Sequence, residues 1–209
     1  KEFENEQKKE VKALEDINSD DEEKRAEAQE VLNQFDKDTA WLQTFMDNVS
    51  AAVESADYTQ YSKVIDVDSF IDYYLVQEFF KNVDVGSTSQ NYVIDQADKK
   101  VKLKMGPVWD FDIAFENDYR TYPICKRSDY IYRTAGSHAG NFNKIVDRIM
   151  IYDRTALNDL QEMWAYARRK QGISTEELHA FIDSIANELD ESQMLNFTRW
   201  PILNTMVHM

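Results

Sequence analysis

The chain of 209 residues carries 24 Lys+Arg against 39 Asp+Glu, a formal charge of −15, with 5 Gly, 3 Pro and a single Cys. That balance argues against nucleic acid as a partner, because a phosphate backbone needs a basic patch, and it opposes attraction to anionic lipid. Cys125 has no internal disulfide partner, no Cys/His spacing suits zinc, and no apolar run approaches the ~20 residues of a membrane span, so no membrane insertion is expected.

The hydrophobic content of 43% is enough for a real core in one or two domains. The start at Lys1-Glu2-Phe3, without Met, reads as a trimmed chain, so the lack of a signal segment says little about location. Acidity is concentrated early: residues 1–60 hold 7 basic and 17 acidic side chains. Helical periodicity runs through them. Ala28, Val31, Leu32 and Phe35 fall at i, i+3, i+4, i+7, and Leu42, Phe45, Met46, Val49 and Val53 continue the stripe. The spacing predicts acidic amphipathic helices over 2–17 and 20–55, the second opened by a capping box of Ser19 and Glu22. Their charges form a solvated outer face.

Asp66 to Lys81 reads as a stronger helix, with Val67, Phe70, Ile71, Tyr74, Leu75 and Phe79 apolar and Asp66 or Asp68 at its N-terminus. A polar loop follows over 82–91. Tyr92-Val93-Ile94, a turn at 95–99 and the alternating Val101, Leu103 and Met105 form a β-hairpin signature, ended by Gly106-Pro107. Residues 116–140 read as an irregular surface excursion. Helical stripes return at Phe142, Ile145, Val146 and Ile149, and at Leu157, Leu160, Trp164 and Ala167. Ser174 and Glu177 cap a last helix carrying Leu178, Phe181, Ile182, Ile185 and Leu189. The expected fold class is α+β, mostly helical, with one small β-hairpin.

The chemistry concentrates in 82–115. Asp84 lies in the loop, Asn91 opens the hairpin, and the hairpin returns the chain to Asp110-Phe111-Asp112. A hairpin brings its two ends together, so these oxygen donors can meet, and hard donors of this kind suit Mg²⁺, Mn²⁺ or Ca²⁺. Phosphoryl transfer uses such a set: an Asp for the acceptor hydroxyl, an Asn and an Asp for metals on the phosphates. The order Asp, Asn, hairpin, Asp is that of protein-kinase C-terminal lobes, although the spacing alone is weakly specific. Trp109, Phe111, Phe115 and Tyr92 are expected in the core rather than on a ligand platform. His138, His179 and His208 are scattered, and Cys125 reads as a spare thiol.

Three segments carry a family resemblance. Ile65-Asp66-Val67-Asp68-Ser69-Phe70-Ile71-Asp72-Tyr73-Tyr74, Phe80-Lys81-Asn82-Val83-Asp84 and Lys102-Leu103-Lys104-Met105-Gly106-Pro107-Val108-Trp109-Asp110-Phe111-Asp112 closely resemble the CotH kinase family of spore-coat-protein-H-like proteins. The closing Asn196-Phe197-Thr198-Arg199-Trp200-Pro201-Ile202-Leu203 looks like the end of bacterial members, and the resemblance covers roughly 60–209. It implies an atypical protein-kinase-like C-terminal lobe, with residues 1–60 part of the same lobe and 61–209 the CotH-like region around a metal-site hairpin at 82–115. It implies ATP and Mg²⁺ or Mn²⁺ as cofactors, a secreted, surface or coat protein as substrate or partner, and an extracytoplasmic location. Asp84 matches the catalytic Asp, Asn91 and Asp112 the metal-binding pair, and Asp110 a supporting acid. Ser87, Thr88 and Ser89 are candidate autophosphorylation targets.

Three features stand against this. The loop from Asp84 to Asn91 is longer than the common pattern, and Asp112-Ile113-Ala114 replaces an Asp-Phe-Gly-like motif. No Gly-rich phosphate loop or strand-borne Lys precedes residue 60, so an N-terminal lobe is expected to be missing and the chain alone to transfer phosphate poorly. The alternatives are a noncatalytic surface or coat scaffold and a Ca²⁺-stabilised module.

Overall fold

Acidic residues with a helical stripe form helices here. In a computed structural model, which describes residues 2–82, 85, 89–94, 100–115, 130–131, 145–148 and 152–205 (backbone alone for 2–4), the N-terminal stretch is α1 (Glu2–Asp16) and α2 (Glu22–Glu54). The chain divides into two units, Lys1–Ser55 and Ala56–Met209. In the first, α1 and α2 pack on each other, and Ala13 and Ala28 are buried. The cap of α2 differs from the expected box. Asp21, not Ser19, accepts from the amides of Glu23 and Lys24, at 3.0 and 3.4 Å, while the Ser19 hydroxyl accepts only from Asp21 N. A carboxylate two residues nearer the helix start reaches the free amides and meets the helix dipole better than a neutral hydroxyl does.

The second unit is built on α4 (Val67–Phe80), preceded by the single turn α3 (Tyr58–Tyr61). Asp66 caps α4 by accepting from Ser69 N at 3.2 Å. Val67, Phe70, Ile71, Tyr73, Tyr74 and Gln77 are all buried, so α4 is enclosed on more than one face. Each large apolar side chain so enclosed contributes about 1.5–3 kcal/mol. Against α4 lie α5 (Arg154–Lys170) and the second strand of a hairpin, β1 (Tyr92–Ile94) and β2 (Leu103–Met105). The strands are antiparallel, with Tyr92 opposite Met105 and Ile94 opposite Leu103. On its other edge Leu103 donates to Val64 O at 2.8 Å and accepts from Asp66 N at 2.9 Å. Met105 N donates to the Ser69 hydroxyl at 3.1 Å. Two strands of three residues are marginal alone. Bonding to the start of α4 fixes them.

Asp153 joins distant parts of this unit. One carboxylate oxygen caps α5 by accepting from Thr155 N at 2.8 Å and Ala156 N at 3.2 Å. The other accepts from the buried Tyr61 hydroxyl. Burial first, then this bond, holds the Tyr61 phenol well above its ordinary pKa.

The last helix, α6 (Thr175–Arg199), opens with the expected capping box: Ser174 Oγ accepts from Glu177 N and Glu177 accepts from Ser174 N, both at 3.2 Å. Its apolar stripe does not join the core; no residue of α6 is buried. Among described residues no helix is long and apolar enough to cross a membrane. The expected excursion at 116–140 lies outside the described residues except Tyr130 and Ile131, as do Phe142 and Ile149 of the following stripe.

Candidate functional site

The site grows from the C-terminal end of α4. Lys81 takes a left-handed conformation, φ 52°, and its amide donates to the carbonyls of Gln77 and Glu78. That conformation ends the helix and turns the chain. Glu78 braces the turn: it pairs with Lys81 and accepts from the Tyr74 hydroxyl and from Ile131 N, each at 3.0 Å. Asn82 follows, 1% exposed, and its side-chain amide donates to Asp110 O at 3.1 Å.

Asp110 is held from two directions. Its backbone has φ 63°, a left-handed conformation that Asp tolerates better than most residues because its short side chain bonds locally. Ser89, 6% exposed, donates its hydroxyl to Asp110 Oδ2 at 3.1 Å. Residues from before and after the hairpin thus meet at Asp110. The segment that follows is tied back to α4. Phe115 N donates to Phe80 O at 2.9 Å, and the Phe80 ring packs edge-on against Phe111 and Phe115 with centroids 5.2 and 5.0 Å apart. Such ring pairs add about 0.5–1.5 kcal/mol beyond buried area.

Asn91 sits at the mouth of the hairpin. Gly106 N donates to Asn91 O at 2.8 Å, and a Cβ on Gly106 would lie 2.9 Å from that oxygen and 3.0 Å from Asn91 Cβ. Only glycine allows this approach. The Asn91, Asp110 and Asp112 residues are all exposed, whereas Asp84 lies outside the described residues. Carboxylate and amide oxygens are the donor chemistry that Mg²⁺ or Mn²⁺ takes, so the residue types fit such an ion. Among the described residues no group of three acidic, His or Cys side chains is assembled to hold one.

Several expectations are corrected. Trp109, Phe115 and Tyr92 are 67%, 62% and 38% exposed, and Phe111 is half-buried, so this aromatic run is not core. The physical reason is that the 109–115 segment lies over the end of α4 and gains cover from Phe80 alone among the described rings. Ser89 is buried and spends its hydroxyl on Asp110, which makes it a poor phosphate acceptor; Ser87 and Thr88 lie outside the described residues. Sequence reasoning gave Asn82 no role. The available signal was its place directly after α4, where a buried amide can satisfy a carbonyl of the returning chain.

Residues 3–207 match the family described as CotH kinase protein. Among curated proteins and among solved structures, nothing matches the chain.

Proposed function

The chain belongs to the CotH kinase family, and from that premise we propose that it is the C-terminal part of a Ser/Thr protein kinase that transfers the γ-phosphate of ATP to secreted or coat proteins outside the cytoplasm. Asp84 accepts the proton of the acceptor hydroxyl as its oxygen bonds to the γ-phosphorus and the bond to the ADP oxygen breaks. Asn91 and Asp112 hold the divalent ion, with Asp110 in support. Mg²⁺ or Mn²⁺, when bound, supplies positive charge against the phosphates.

What supports this reading most is Asp110: a carboxylate in a left-handed backbone, fixed by Asn82 and Ser89 across the loop. Conformations of that kind cost about 1–3 kcal/mol and gather at functional sites. Replacing Asp112 by Ala should abolish metal-dependent transfer from labelled ATP in the natural full-length protein. Transfer at the wild-type rate would refute the assignment.

A second reading, a noncatalytic scaffold, draws on Asp112-Ile113-Ala114, where the family's kinase-like motif is altered and Ala114 is packed away, 3% exposed. Asp112→Ala would then leave partner binding intact and there would be no transfer to lose.

A further inference from the structure

Helix α6 presents a continuous apolar stripe to solvent. Leu178, Ile182, Ile185 and Leu189 repeat at i, i+4, i+7, i+11, with Phe181 beside them. Phe181, Ile182 and Leu189 are 64%, 60% and 51% exposed. Exposed contiguous apolar surface of this kind marks an interaction site more often than chance. The stripe also runs into a cavity. Leu178, its first residue, lines a groove of about 1230 Å³ between α4 and α5, together with Leu75, Phe79, Trp164 and Ile173.

Charge decides what fits. From Glu176 to Glu191 the helix carries six carboxylates and no Lys or Arg. At 3.6 residues per turn, Glu177 and Glu188 border one side of the stripe, and Asp183 and Asp190 border the other. A second copy laid along α6 would set carboxylates against carboxylates, and an anionic membrane would be repelled. A helix with the opposite pattern, Leu or Ile on one face and Lys or Arg along both borders, covers the stripe and answers all four carboxylates. We propose that α6 docks a basic amphipathic helix of a partner protein, seated along Leu178–Leu189 with one end in the α4–α5 groove. This holds whether or not the chain transfers phosphate.

The test is fluorescence anisotropy of the 209-residue chain with a labelled 18-residue synthetic peptide, Leu at i, i+3, i+4, i+7 and Lys on both flanks. Two controls separate docking from general attraction to a chain of charge −15: a scrambled peptide of the same composition, and the double variant Ile182→Ser, Leu189→Ser, which alters side chains already exposed and leaves the charge unchanged. The proposal expects the patterned peptide to bind at least tenfold more tightly than the scrambled one, and the double variant, with unchanged circular dichroism, to lose that advantage. Equal binding of both peptides, or undiminished binding by the variant, would overturn it. So would light scattering that shows a dimer of the wild-type chain turned into a monomer by the same substitutions, since the occupant would then be a second copy.

Discussion

The Ser89 hydroxyl donates to Asp110 Oδ2 across 3.1 Å, joining the loop before the hairpin to the segment after it. With the Asn82 amide on Asp110 O, it holds a left-handed residue whose side chain is exposed. Asp110→Asn keeps both the tolerance for positive φ and an oxygen for Ser89, so urea unfolding should show a change within about 0.5 kcal/mol. Asp110→Ala loses both the bond from the buried Ser89 hydroxyl and the Asp tolerance for positive φ, and should cost about 1–3 kcal/mol. Equal stability of the two variants would show that the Ser89 contact does not hold the segment.

Gly106 fixes where Asn91 stands. A methyl group there meets the Asn91 backbone at 2.9 Å, and backbone cannot swing aside as a side-chain tip can. Gly106→Ala should destabilise the second unit by about 1–3 kcal/mol, as small-to-large changes at tight contacts do. Thermal melting reads it; an unchanged midpoint would mean that the hairpin mouth opens freely.

Asp153 serves two partners. Asp153→Ala removes the α5 cap and leaves the Tyr61 hydroxyl buried without its acceptor, an expected loss of about 2–4 kcal/mol. Tyr61→Phe alone should cost about 1 kcal/mol. Because the two changes share one bond, the double variant should lose less than the sum of the single losses. Simple additivity in denaturant unfolding would contradict the link.

Asp72 gives a pH signature. Burial first, then the charges of Asp68 and Asp66, raises its carboxyl above the ordinary 3.8. An acid with a raised folded pKa binds protons more readily folded than unfolded, so the cost of its charge appears as pH rises above the unfolded value and is complete above the folded one. Asp72→Asn should therefore stabilise the chain at pH 7 and lose that advantage near pH 3. The gain should be about 0.2–0.5 kcal/mol, the size of a like-charge pair one helical turn apart, because the side chain is largely solvated. A larger gain at pH 3 than at pH 7 would reverse the sign and refute this account.

How far the sequence reached depended on the range of each interaction. Helices α1, α2 and α4, the hairpin and the Ser174 box follow from periodicity and local capping, which act within a few residues. The Ser19 box failed at the same range, because Asp21 offered the amides a charged acceptor two residues closer. The aromatic run 109–115 was misjudged as core because hydrophobic pattern reports which face is apolar, not whether a neighbour arrives to cover it, and the same limit left the exposure of the α6 stripe unread. The Asn82 and Ser89 bonds to Asp110 span 28 and 21 residues and depend on backbone turns at Lys81 and Asp110. No spacing rule reaches that far.

The central claim, that the residues around Asp110 and Asp112 serve a divalent ion and nucleotide, is met most directly by thermal melting of the natural full-length protein with Mg²⁺ or Mn²⁺, with and without ATP, beside Asp112→Ala. The account predicts a rise in Tm that needs both ion and ATP and is absent in Asp112→Ala; at ligand one hundred times its Kd the rise corresponds to about 2.7 kcal/mol. No rise in the wild-type protein, or an equal rise in the variant, would contradict it.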